Sequence, residues 1–136
     1  MTEHRDTIDT SGCFGCGTNN PIGLHLAMKD VDGIWTAYFT PKKEHESYGD
    51  RMHGGLTSTL LDEVMGDCAF RKFGRPAYTA QLDIRYRSAV RIGETVKIEG
   101  WITKVRGRLI LAEGRVVHED GTIAAEASSK MMLAPQ

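Results

Sequence analysis

Through the middle of the chain apolar residues recur every fourth position, at Leu56, Leu60, Val64 and Cys68, with Leu61, Met65 and Ala69 beside them. That period makes one wide apolar face of a helix. Met52-His53-Gly54-Gly55 forms its start, and the helix is expected to run to about Phe73, where Lys72, Gly74 and Pro76 supply the stop. On either side the period changes. Strands are expected over 24–29 and 34–40, joined by the turn Asp30-Val31-Asp32-Gly33, and a charged, irregular connection then leads to His53. After Pro76, Tyr78, Ala80, Leu82, Ile84 and Tyr86 alternate with Thr79, Gln81, Asp83, Arg85 and Arg87, a period-2 strand with one polar face. Three more strands are expected over 95–105, 109–118 and 122–133, the last two preceded by the short turns Arg106-Gly107-Arg108 and Glu119-Asp120-Gly121.

One helix can bury its apolar face among so many strands only if the sheet curves around it. The short hairpins favour antiparallel pairing. The expected architecture is α+β, a curved antiparallel sheet wrapped around one long central helix. Residues 1–12 read as a loose lead and 13–136 as a single domain, which the 136-residue length accommodates.

Charge and cysteine content narrow the classes further. A formal net charge of −1 argues against a nucleic-acid partner. No run approaches the roughly 18 apolar residues that a membrane span needs, and the first residues carry no apolar signal core. Three cysteines, an odd number, suit reduced thiols, so the expected compartment is the cytoplasm. Cys13 and Cys16 form a C-x-x-C pair, but no second pair follows at a zinc-ligand spacing, and His4 or His25 could complete a site only by chance of fold. No metal is expected, and the two thiols are read as structural or inert. Cys68, on the apolar stripe, is read as core packing.

The candidate chemistry gathers at the helix. Gly54 and Gly55 leave the first amide N–H groups unpaired and electropositive. Asp62, nine positions after His53, places a carboxylate in an apolar stretch, where it needs a partner or a task. The plainer readings are a simple helix start, a satisfied histidine and an acidic pair on a solvated edge. Glu63 is assigned to that edge, or to an interface contact.

His53-Gly54-Gly55 followed by Leu61-Asp62-Glu63 resembles the hotdog-fold acyl-CoA thioesterases, in the phenylacetate-degradation (PaaI-like) branch of the 4-hydroxybenzoyl-CoA thioesterase superfamily. The likeness takes in Cys13-Phe14-Gly15-Cys16-Gly17, Asn20-Pro21-Ile22-Gly23-Leu24, His45-Glu46-Ser47-Tyr48, the stretch from Thr79 to Arg87 and Asp120-Gly121-Thr122, about residues 11–133 in all. It implies hydrolysis of acyl-CoA thioesters with no metal and no cofactor beyond the coenzyme A of the substrate. It implies Gly54 as an oxyanion-hole donor, Asp62 as general base or nucleophile, Thr79 as the hydroxyl that helps place water, and His53 as the group that orients the carbonyl. Gly55, Leu56, Ser47, Arg85 and Arg87 are the expected substrate-binding residues. Arg85 and Arg87 belong to a basic set that either holds the CoA phosphates or forms a solvated rim. Ser47 stands where some relatives carry asparagine, a stronger carbonyl partner.

Eight residues of helix span about 12 Å, too far for Gly54 and Asp62 of one chain to flank one thioester carbon. Two antiparallel copies of the helix about a two-fold axis bring them together. A homodimer with composite interface sites is expected, with a dimer of dimers open. The rival expectation is a non-catalytic acyl-CoA binding or sensing module on the same fold.

Overall fold

In the computed structural model, which describes residues 8–136, helix α1 (Gly54–Phe73) lies against one six-stranded sheet. The strands are β1 (Met28–Val31), β2 (Ile34–Phe39), β3 (Ala77–Tyr86), β4 (Val96–Arg106), β5 (Leu109–Val117) and β6 (Ile123–Leu133). Their order across the sheet is β1-β2-β4-β5-β6-β3, every neighbouring pair antiparallel. This is the hotdog arrangement, and β3, an edge strand, follows the helix directly.

Leu60, Leu61, Val64 and Met65 of α1 are fully buried, each stabilising the fold by about 1.5–3 kcal/mol through lost apolar exposure. The seat beneath them is made of two glycines. Gly100 of β4 and Gly114 of β5 are register partners. A Cβ at Gly100 would stand 3.1 Å from Val64 Cγ1, and one at Gly114 would stand 3.3 Å from Met65 Cγ and 2.9 Å from the Glu99 carbonyl oxygen. Helix and sheet therefore approach backbone to side chain at this point. Gly74, with φ of 74°, ends the helix in the left-handed conformation, its N–H donating to the Phe70 carbonyl.

Two expectations about strands need correction. The first strand begins at Met28, and its turn narrows to Asp32-Gly33, both at positive φ (53° and 87°) as a two-residue hairpin requires. Leu24 and Leu26 are buried in alternation with His25, but their N–H groups donate to the carbonyls of Phe14 and Gly15. A loop takes those bonds, which is why the apolar alternation there does not make a strand.

The second correction lies in β3. Its register against β6 shifts between Thr79 and Gln81, so Ala80 is an extra residue. Beyond the bulge Leu82 and Ile84 pack on the core and Tyr86 reaches the helix. Before it Ala77 packs on the core and Thr79 meets the helix, while Tyr78 is exposed. One inserted residue thus exchanges the faces, and the unbroken alternation read from the sequence fails at this point.

Candidate active site

The amides at the start of α1 have no partner in the helix ladder. His53 serves two of them: its Nδ1 accepts from Gly55 N–H at 2.9 Å and its carbonyl from Leu56 N–H, besides taking the first ladder bond from Thr57. Gly54 N–H has no acceptor among the described residues. Because Nδ1 accepts a hydrogen bond, the proton of the neutral imidazole sits on Nε2. Tyr86 Oη donates to the Gly54 carbonyl at 2.8 Å, fixing the peptide plane that follows the free N–H. A Cβ at Gly55 would come within 3.0 Å of His53 Nδ1, so the glycine is what lets the imidazole fold back over the helix end.

Two turns further along, Thr79 Oγ1 donates to Asp62 Oδ1 at 2.6 Å. Asp62 is half-buried and Thr79 exposed. Both line a cavity of about 250 Å³ whose other walls include Ile8, Cys13, Cys16, Glu63, Phe70 and Ala77. The end of the N-terminal lead, Ile8 and Thr10, therefore roofs this cavity, while residues 1–7, with His4, lie outside the described residues.

Glu63 does not lie on a solvated edge. Gly15 is folded onto it so closely that a Cβ there would stand 2.3 Å from its carboxyl, and Cys13 Sγ lies 3.5 Å from Oε2. Burial pushes the Glu63 carboxyl above its ordinary value, against hydrogen bonds from Cys16 and Cys13, and the charges of Asp67 and Asp62 add to the rise. Cys16 is pushed well above the usual thiol range by burial and then by Glu63. Cys68 is half-buried beside the stripe, its thiol raised chiefly by burial. Asp67, which sequence reasoning passed over, accepts from Trp35 Nε1 at 2.8 Å and pairs with Arg71 at 3.4 Å, tying α1 to β2.

The remaining expected residues lie apart from this cavity. Leu56 is partly buried against the core. Leu60 and Met65 are fully buried against the sheet, whereas Phe70 lines the cavity. Ser47 bonds within its own loop, its N–H donating to the Arg51 carbonyl at 2.8 Å. Arg85 and Arg87 line a shallow concavity on the outer face of the sheet with Trp101, Arg115 and Glu126, where Arg87 is paired to Glu126 at 2.7 Å. The structure brings Asp62 and Thr79 together, and His53, Gly54 and Gly55 together. Within one chain it does not bring the two groups to one point.

A family model described as the thioesterase superfamily matches residues 49–125, more than half of the chain. The chain belongs to the thioesterase superfamily. Its matched segment starts just before α1 and ends within β6, so the capped helix start, Asp62 and Thr79 all fall inside it. Among curated relatives of this superfamily member, an uncharacterized protein of Schizosaccharomyces pombe is 31% identical over 86 residues, 62% of this chain and 49% of that one. The chain thus spans about half the length of that relative. The "Putative esterase PA0474" of Pseudomonas aeruginosa is 27% identical over 128 residues, covering 93% of this chain and 87% of that protein. Among solved structures, smu.793 from Streptococcus mutans, bound to acetyl CoA, shares the fold with a TM-score of 0.74 and 21% identity, over 82% of this chain and 90% of that one. No helix among the described residues is long and apolar enough to cross a membrane.

Proposed function

We propose that this protein hydrolyses acyl-CoA thioesters at composite sites of a homodimer, each site joining the helix start of one protomer to Asp62 and Thr79 of the other. The observation that carries the reading is the Thr79–Asp62 hydrogen bond at the wall of a cavity, on the helix whose first N–H lacks an acceptor among the described residues. Thioester hydrolysis develops charge on the carbonyl oxygen and needs a preorganised donor there. Gly54 N–H, at the positive end of α1, is such a donor, and His53 Nε2–H stands beside it to orient the same carbonyl. Asp62 takes a proton from water as the water oxygen attacks the carbonyl carbon. The intermediate then expels CoA as a thiolate, which recovers the proton. Thr79 holds Oδ1, leaving Oδ2 to the water. Direct attack by Asp62, which expels CoA as a thiolate and gives an anhydride that water then hydrolyses, uses the same contacts.

Several observations support the dimer. Gly54 and Asp62 lie eight residues apart on α1, about 12 Å of rise. The outer edge of β3 has no strand partner among the described residues, and Tyr78 and Tyr86 on that strand are 64% and 55% exposed. Pairing there would cover Thr79. Ligation of acetyl CoA by the S. mutans relative supports a CoA-bearing substrate. Gly55 and Leu56 then shape the approach to the helix end, and Arg85, unpaired among the described residues, is better placed than Arg87 to take a phosphate. Ser47, turned to its own loop, contributes backbone shape. The cytoplasm is the compartment that reduced thiols would favour.

Release of free thiol from a panel of aromatic and straight-chain acyl-CoAs tests the reading. Turnover by the wild type, abolished in Asp62→Asn with the dimer intact, is the expected result. Tight binding with no turnover of any panel member would replace the hydrolase with a sensor. In single-turnover hydrolysis in ¹⁸O-water, label in Asp62 identifies the nucleophile, since general-base attack labels the acid product alone.

A further inference from the structure

We propose that Cys13, Cys16 and Glu63 form a binding site for a thiophilic divalent cation, zinc by the chemistry of its donors, with a fourth position open to the cavity. Sequence spacing supplied only two ligands. The fold supplies the third from α1: one sulfur of each cysteine and one oxygen of Glu63 all lie within 4.8 Å of one another. Ligands around a tetrahedral zinc at about 2.0–2.3 Å stand roughly 3.4–3.8 Å apart. The Cys13 Sγ–Glu63 Oε2 separation, 3.5 Å, already has that edge length.

The surroundings favour a cation. Glu63 is half-buried between Asp62 and Asp67, and Asp67 has taken the neighbouring Arg71. The hydrogen bonds that face Glu63 come from two thiols, which are weak donors. A carboxylate so placed gains more from a metal than from S–H groups. The loop is also held in place before any ion arrives. Leu24 and Leu26 donate to the carbonyls of Phe14 and Gly15, Gly17 N–H donates to Cys13, and Gly15 has no room for a side chain beneath it. All three ligands line the cavity that Asp62 and Thr79 share, so the open position faces that space, where water completes the shell. The ion would clamp the loop to α1 one residue from Asp62.

This inference stands apart from the hydrolase reading, because its test needs no substrate. Reduced full-length protein stripped with a chelator is titrated with Zn²⁺, and with Co²⁺ as a spectroscopic probe. One equivalent of each should bind, Co²⁺ giving a thiolate charge-transfer band and the visible bands of a four-coordinate ion. Cys13→Ser and Cys16→Ser should abolish the band. Glu63→Gln should weaken Zn²⁺ by at least the roughly 10–100-fold that even outer partners of a metal command. Cys68→Ser should change nothing. Circular dichroism checks each variant, and wild-type titration carries the decision alone if a cysteine variant fails to fold. No stoichiometric binding by the wild type, or a band that moves with Cys68 instead, would overturn the site. So would rapid loss of the two thiols to a Cys13–Cys16 disulfide in the presence of equimolar Zn²⁺.

Discussion

Thr79 Oγ1 donates to Asp62 Oδ1 across 2.6 Å, joining β3 to the middle of α1 over 17 positions of sequence. The bond commits one carboxylate oxygen of a residue that lines the cavity. Thr79→Val keeps the shape and removes the donor, and should lower kcat by about 10-fold or more with little change in KM, since general-base catalysis contributes roughly 10²–10⁴. Thr79→Ser should retain most of the rate. Steady-state kinetics on one acyl-CoA separates the two, and equal rates in Thr79→Val and wild type would remove Thr79 from the chemistry.

A backbone donor can be deleted without breaking its helix. Gly54 occupies the first helical position, where proline is well tolerated, and His53 (φ −59°, ψ 132°) already has the extended backbone that precedes proline. A Cβ there meets the Tyr86 ring at an ordinary 3.6 Å. Gly54→Pro should fold and lose about 10²–10³ in kcat. Mixed with Asp62→Asn and allowed to exchange subunits, it should regain activity, because each heterodimer restores one complete site. Failure to regain it, with heterodimers verified by mass spectrometry, would put both groups in one chain.

Two glycines near the core should respond in opposite directions. Gly114→Ala drives a methyl to 2.9 Å from the Glu99 carbonyl and should cost about 1–3 kcal/mol in urea unfolding. Gly66, inside α1, has nothing within 4 Å of an added Cβ. Gly66→Ala should therefore stabilise the helix by about 0.5–1 kcal/mol. Since Gly66 lines the cavity, the same change should alter KM for bulky acyl groups.

Glu99 gives the fold an acid limit. Burial alone would raise its carboxyl, but the bond and charge of Arg115, with Lys97 adding, hold it below 4.5. A carboxylate whose pKa is lowered on folding stabilises fully above its unfolded value and loses that contribution as pH falls through its folded one. Glu99→Gln should be less stable than wild type at pH 7, and the difference should shrink progressively as pH falls below the unfolded value of about 4.3. Urea midpoints across that range measure it.

The helix and the later strands were legible because each repeats one period over many residues, and the expected ends of β4, β5 and β6 fall within a residue of those observed. Gly74 and Pro76 marked the helix stop for the same local reasons. Properties that depend on contacts distant in sequence were hidden. Glu63 looks like any charge next to another on a helix until the loop of Gly15 covers it. Tyr86 reads as one more strand aromatic, and its bond to Gly54 exists only because β3 returns beside the helix start. The seat of Gly100 and Gly114 requires the β4–β5 register to be known. Asp62 stood out as a carboxylate in an apolar stretch, and family likeness gave it a role; Thr79 was picked out by likeness alone, since the strand's own alternation would have turned it outward.

That last point exposes a fragility in β3. Strand parity, and not the identity of any side chain, aims the hydroxyl inward, and parity hangs on the single surplus residue Ala80. Excising Ala80 would let the ladder run unbroken and send Thr79 to the outer surface, with every functional side chain still encoded. Such a protein should turn over substrate no faster than Thr79→Val.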